Sequence, residues 1–381
     1  MSLFLQFGKV LVALGYKHSF EEEAVNHIAF EAAKKDPENI AFINSVLTHY
    51  GIKTSLFLKE CLLRSITINF HPDRFSANGK LIIENLIDSG VYEGQFRTGT
   101  SNGGLTAFPG GERFLWEQRL FAGIYPVNTQ DRPKYGALNL LNYLDGASPR
   151  FGACYFVLKP SVISRCTFSY GDSSLAPVGL CTSEHFSGIA FNLLRDLIEK
   201  RRLLDWENCD PQRTIPLLMK TPPPSVRGNL DFYIETHIHG ELSLQEDIST
   251  FFLDESYRDT DMERYARCLS QRYEIGIDWI PKREIRIDQI EDTFRGPHIP
   301  LLAEKVDSLL GGHRGVITPF LIGLASHSST KNPSLWKDLG DPPQIFQSFK
   351  QLWHTTAYFG AEKPFWKYPN LLDTEKGNGS G

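Results

Sequence analysis

The densest group of ionisable side chains lies in Asp231-Phe-Tyr-Ile-Glu-Thr-His-Ile-His-Gly. The segment Asp231–His239 alternates as a strand does, which puts Glu235, His237 and His239 on one face and Ile234 and Ile238 on the other. Such a face points either at water or into a cleft, and a carboxylate held away from water needs a partner or a task. A second group, His71-Pro-Asp-Arg, ends the apolar strand Ser65–His71. Strand ends deliver side chains into clefts from a rigid backbone, and the plainer alternative is a surface Asp–Arg pair. Gly99-Thr-Ser-Asn-Gly-Gly fits the G-x-S-x-G pattern of hydrolase nucleophile elbows, but Leu105-Thr-Ala-Phe-Pro-Gly-Gly follows where a helix is required. What remains is either a plain surface loop or one whose backbone N–H groups and small hydroxyls suit a pyrophosphate or ribose. Tyr135 enters an apolar strand, and Thr167 and Ser169 share one face of another.

The elements that must position these groups divide by character. Residues 1–64 read as a helical layer with almost no candidate chemistry. Phe20–Lys35 opens on an acidic turn after Ser19 and ends in lysines, with Val25, Ile28, Ala29 and Ala32 on one face. Helices are also expected at Lys80–Ser89, closed by Gly90, at Glu112–Phe121 and at His185–Arg202. Strands are expected at Ser65–His71, Tyr135–Tyr143, Cys154–Leu158, Cys166–Ser169 and Asp231–His239. Short strands without regular βαβ alternation favour an α+β fold. The core is placed at residues 65–255, a helix and loop extension at 256–372, and a disordered low-complexity tail at 373–381.

Composition narrows the classes. A chain of 381 residues that is 41% hydrophobic and 12% aromatic has enough apolar side chains for a sizeable core. A net charge of −5 offers no overall basic field to nucleic acid or an anionic membrane. No stretch reaches the roughly 20 apolar residues of a membrane span. Six scattered cysteines without C-x-x-C read as reduced core thiols of a cytoplasmic protein. Met1–Tyr16, apolar but broken by Gln6 and Lys9, reads as an amphipathic helix, with secretion of an effector or toxin the alternative. G-x-G-x-x-G, G-x-x-x-x-G-K-[ST] and H-E-x-x-H are all absent, which counts against redox Rossmann enzymes and P-loop NTPases.

Taken in order, His71-Pro-Asp-Arg, Phe96-Arg-Thr-Gly-Thr-Ser-Asn-Gly-Gly-Leu, Pro109-Gly-Gly-Glu-Arg, Tyr135-Gly-Ala-Leu-Asn-Leu, Ser148-Pro-Arg-Phe-Gly, Thr167-Phe-Ser-Tyr-Gly-Asp-Ser and Glu235-Thr-His-Ile-His-Gly resemble one mainly microbial family of unknown function associated with the ADP-ribosyltransferase superfamily. The resemblance spans roughly residues 65–255. It implies a split antiparallel β-sandwich with NAD between its halves. His71 or Arg74 would hold the adenosine ribose or a phosphate. Tyr135 would stack on nicotinamide, or Thr167 and Ser169 would stand in the place of a Ser-Thr-Ser strand. Arg97, Thr98, Gly99, Thr100, Ser101, Asn102 and Gly103 would add cofactor contacts. Glu235 would be the catalytic strand glutamate, with Glu241 a second candidate carboxylate and His239 beside it. The family pattern has Gln where this chain has His237.

The implied chemistry is coherent without a metal. Cleaving the nicotinamide–ribose bond passes through an oxocarbenium-like state, which a nearby carboxylate stabilises. The acceptor of ADP-ribose stays open: a protein side chain, nucleic acid, a small molecule, or water, which would make the protein an NAD glycohydrolase. Two rival readings stand beside this one. His71, Asp73, Glu235, His237 and His239 could form the N/O site of a metal-dependent hydrolase. Alternatively, the N-terminal helices and the C-terminal third bind a partner around an inert cleft.

Overall fold

The structure is a computed structural model that describes residues 19–99, 106–175, 177–226 and 228–360. The expected helix Met1–Tyr16, the glycine-rich loop from Thr100 to Gly104 and the expected tail at 373–381 lie outside the described residues.

Eight short strands, β1 (Ile66–Phe70), β2 (Lys134–Leu138), β3 (Cys154–Leu158), β4 (Cys166–Tyr170), β5 (Val178–Thr182), β6 (Ile234–Ile238), β7 (Ile248–Asp254) and β8 (Gly276–Ile280), form one sheet in the order β5-β4-β6-β2-β1-β3-β7-β8. Every pairing is antiparallel except β7 with β8. With helices packed around this sheet, the fold is α+β, as expected. All five residues of β1 and of β6 are buried. Both faces of the central sheet are therefore covered, which explains why β1 carries apolar or uncharged residues throughout.

The helices form where the local signals point. Helix Phe20–Ala33 starts on Ser19, whose side chain accepts the Glu22 N–H, and its first turn holds Glu21, Glu22 and Glu23. Its buried edge is Ala24, Ile28 and Ala32, while Val25 and Ala29 are half-buried, so the inward face is rotated slightly from the expected one. Helix Ile82–Ser89 ends on Gly90 at φ +69°, where an added Cβ would sit 2.8 Å from the Tyr273 ring. Helices Glu112–Leu120 and Ser187–Lys200 occupy the other two expected sites.

The middle of the sheet is its weakest ladder. β1 and β2 pair only at Ile66–Leu138 and Thr67–Ala137. β2 pairs with β6 at five positions, from Lys134–Ile238 to Leu138–Ile234, and β1 pairs with β3 at four. Beyond Thr67 and Ala137, then, the end of β1 follows β3 and the start of β2 follows β6. The strands separate into two half-sheets joined at a short seam. Gly136 lies beside that seam, where a Cβ would come within 2.6 Å of the Thr67 carbonyl oxygen.

Residues beyond 255 belong to the same core. β8 completes one half-sheet, and Leu269, Ile299, Trp336, Phe349 and Trp353 join the main apolar cluster. The buried Arg283 guanidinium bonds the Asp145 carboxylate and the Ala357 carbonyl, and Asp145 also accepts the Gly228 N–H at 3.1 Å. Five of the six cysteines are buried and Cys268 is exposed, all as free thiols. Among the described residues, no helix is long and apolar enough to cross a membrane. Removing one partner of a buried ion pair leaves an uncompensated charge. Arg283→Met is therefore expected to lower unfolding stability by about 3–5 kcal/mol in chemical denaturation. A loss well under 1 kcal/mol would show that the pair does not hold the last described helix in place.

Candidate active site

β6 lies between β4 and β2, and register dictates what flanks its polar residues. Glu235 faces Ser169 on one side and Ala137 on the other, while His237 faces Thr167 and Tyr135. The expected common face holds, but it does not meet water. Glu235 is 5% exposed and His237 fully buried, with Phe121 against His237 and Tyr125 against His239, both next to helix Glu112–Leu120. Phe121 sets its ring edge-on to both imidazoles, at 5.6 Å from His237 and 5.1 Å from His239. Glu235 Oε1 lies 2.8 Å from His237 Nε2 and accepts the Ser173 N–H at 3.3 Å. Ser169 shapes the loop that supplies this donor, since its hydroxyl bonds the Gly171 carbonyl at 2.9 Å.

Where β1 and β2 part, a cavity of about 570 Å³ opens. Lys134, Tyr135, Gly136 and Glu235 line it from one half-sheet, and Asn69, Phe70 and Arg74 from the other. Arg113 and Trp116 come from helix Glu112–Leu120, and Arg150, Phe151 and Phe346 add further lining. Arg74 is only 6% exposed, and its Nη1 has no hydrogen-bond partner. Burial lowers its pKa, with Asp73 opposing. Lys350, one turn beyond Phe346 on helix Pro342–Phe359, has its pKa pushed down to about 8 by burial and by Arg150 and Arg74. An unpartnered buried guanidinium beside other cations favours an anionic group.

Tyr135 is held more tightly than a free stacking surface. Its hydroxyl donates to Glu117 Oε1 at 2.9 Å, Arg132 donates to Glu117 Oε2 at 3.0 Å, and the Arg113 guanidinium covers the ring at 4.5 Å from its centroid. Burial raises the Glu117 pKa, opposed chiefly by Arg113 and Arg132. One face of the expected nicotinamide platform is thus already occupied by a cation.

The His71-Pro-Asp-Arg turn divides its labour. Only Arg74 lines the cavity. His71 is buried edge-on against Trp353 at 5.1 Å, and burial holds its imidazole pKa well below the usual range. Asp73 accepts the Tyr257 hydroxyl at 2.9 Å, and its carbonyl bonds His327. These two residues pack against the C-terminal third and do not line the cavity.

The remaining candidates scatter. Thr98 lines the cavity, Gly99 caps the short turn Gln95–Thr98 at φ +65°, and Arg97 is exposed and paired with Asp131 and Glu93. Thr100, Ser101, Asn102 and Gly103 lie outside the described residues. Glu241 is exposed and does not line the cavity. Thr167 and His239 are buried behind Glu235 and bond each other at 3.0 Å. The five residues of the metal-site reading do not converge. The ring nitrogens of His237 and His239 all have protein partners, while His71 and Asp73 pack on the C-terminal helices. Among the described residues, no group of three or more His, Cys, Asp or Glu is arranged to hold a metal ion.

Arg113, Trp116, Glu117, Tyr125, Ser173 and Lys350 were not legible as site residues. Arg113 stands within Pro109-Gly-Gly-Glu-Arg, but only the fold reveals that this arginine lies on Tyr135. Tyr135→Phe keeps the ring and leaves one lobe of a buried carboxylate without its donor. It is expected to lower the unfolding free energy by about 1–3 kcal/mol, and an unchanged melting curve would contradict that role.

A search of curated proteins found no match. A family model described as Protein of unknown function (DUF3626) matches residues 65–359. The match starts at the threshold of β1 and ends with helix Pro342–Phe359, so it takes in Glu235, Arg74, Tyr135 and the helix that carries Lys350. The chain belongs to this family of proteins of unknown function, DUF3626.

Proposed function

We propose that the chain binds NAD in the cleft between β1 and β2, cleaves the nicotinamide–ribose bond and transfers ADP-ribose to an acceptor, with Glu235 as the catalytic carboxylate. What supports the reading is one juxtaposition at the split of the sheet. A buried carboxylate on one half faces the same cavity as a buried guanidinium with an unpartnered Nη1 on the other. The cavity volume falls in the range of about 300–1,000 Å³ usual for small-molecule sites. On this reading, the opened seam is the split of an ADP-ribosyltransferase-type sandwich.

The chemistry assigns a role to each wall. Arg74, with Arg150 and Lys350 behind it, binds the pyrophosphate through charge-assisted bonds. Tyr135 and Trp116, held by Arg113 between them, bound the nicotinamide end as an aromatic wall. As the glycosidic bond breaks, its electron pair leaves with nicotinamide and positive charge develops on the ribose, where the Glu235 carboxylate stabilises it. The acceptor X–H then bonds the anomeric carbon and loses its proton, giving nicotinamide, ADP-ribosyl-X and a proton. Water in place of X–H gives free ADP-ribose.

Incubation of purified protein with adenylate-labelled NAD and cell lysate is expected to release nicotinamide and move label to protein, nucleic acid, a small molecule or free ADP-ribose. Glu235→Gln should lower kcat on the order of 10²–10³-fold with NAD affinity little changed. Equal nicotinamide release by wild type and E235Q would remove Glu235 from the mechanism.

Lys350 adds a pH signature. A bound phosphate favours the ammonium form, so the group takes up a proton on binding wherever it is neutral in the free protein, which is half of the molecules near pH 8 and most of them above it. ADP-ribose affinity should be flat below pH 8 and fall by up to tenfold per pH unit above it. Lys350→Met should abolish that slope in calorimetric titrations at pH 7, 8 and 9.

A further inference from the structure

Behind Glu235, hydrogen bonds run in series away from the cleft. Tyr125 OH lies 2.6 Å from His239 Nδ1, His239 Nε2 lies 3.0 Å from Thr167 Oγ1, Thr167 Oγ1 lies 2.9 Å from His237 Nδ1, and His237 Nε2 lies 2.8 Å from Glu235 Oε1. Every member is buried, with Phe121 edge-on to both imidazoles and the Tyr125 ring stacked on His239.

The inventory of protons gives this series a direction. A carboxylate only accepts, so with Glu235 ionised, as the proposed chemistry requires, His237 carries its hydrogen on Nε2. A neutral His237 then accepts at Nδ1, and the donor is the Thr167 hydroxyl. That hydroxyl has spent its single hydrogen and accepts from His239 Nε2–H. His239 is kept neutral by burial, with Lys134 and Arg165 nearby, and it accepts at Nδ1 from the Tyr125 phenol. No link is left without a proton, and none has two. In the reverse arrangement, His237 would aim the Nε2 lone pair at the carboxylate, leaving Glu235 Oε1 with the Ser173 N–H alone.

We propose that Tyr125, through His239 and Thr167, sets the tautomer of His237 and so fixes the orientation and acceptor state of Glu235. Tyr125 does not line the cavity and is a positioning residue, as are the three groups between it and Glu235. The proposal rests on the transferase reading for its effect on rate, but its structural core does not. Both ring nitrogens of His237 have a buried partner, Thr167 on one side and Glu235 on the other.

Long-range 15N–1H NMR of the intact protein at pH 7 reads the tautomers directly. Both His237 and His239 are expected as neutral Nε2–H forms. Tyr125→Phe should convert His237 to a mixture of tautomers and lower kcat for NAD cleavage about tenfold, with the NAD dissociation constant unchanged. Thr167→Val should behave in the same way, and Thr167→Ser, which keeps the hydroxyl, should recover most of the loss. A doubly protonated or Nδ1–H His237 in the wild type overturns the proposal, as does a Tyr125→Phe protein with the wild-type His237 tautomer. Should NAD not be cleaved at all, the functional reading falls while the tautomers of the wild type and Tyr125→Phe still decide the role of Tyr125.

Discussion

The arrangement depends on how briefly β1 and β2 hold each other. Two residue pairs join the half-sheets, and past them each strand is committed to its outer neighbour. A full ladder would bring Tyr135 and Asn69 side by side and leave no space in front of Glu235. The early parting creates a concave site within a sheet, where side chains are held by paired backbone on their outer flanks. Rigidity and access are thus obtained from one feature, and no long loop is needed to shape the floor of the cleft.

A sheet opened at its middle has to be closed from elsewhere. Helix Glu112–Leu120 covers one half through Glu117, which gathers Tyr135 and Arg132, and through Arg113, which lies between two aromatic rings. From the other side, helix Pro342–Phe359 brings Phe346 to the cavity and Trp353 to the Pro149 carbonyl at 2.9 Å. Some of the polar groups buried in this process are matched in pairs and series, while several atoms, Arg113 Nε, Trp116 Nε1 and His354 Nδ1 included, have no hydrogen-bond partner. Arg74 Nη1 is one of them, and it lies at the cavity. An imbalance at that place has a chemical meaning that the same imbalance elsewhere would lack.

Much of this was legible in the sequence, because the relevant signals were local. The alternation in β1 and β6, the acidic first turn after Ser19 and the glycine after Ser89 are short-range rules acting on neighbours. The shared face of Glu235 and His237 follows from strand period alone. Whether that face met water depended on helix Glu112–Leu120 and Tyr125, more than a hundred residues earlier, and no period reports that. That His71 and Asp73 do not line the cavity was hidden for the same reason: their partners Trp353, Tyr257 and His327 come from the C-terminal third. The Gly99 segment looked chemical in composition, and of its described residues Thr98 reaches the cavity while Arg97 turns to surface carboxylates.

The contact between Arg283 and the end of the last described helix has a consequence for how the molecule opens. Terminal helices usually fray first, because little else depends on them. Here the Ala357 carbonyl and the Asp145 carboxylate share one buried guanidinium, so releasing that helix takes an acceptor away from a buried charge. Local opening at the C-terminal end is thereby linked to global unfolding, and the amides of residues 352–357 should exchange with solvent as slowly as those of β1.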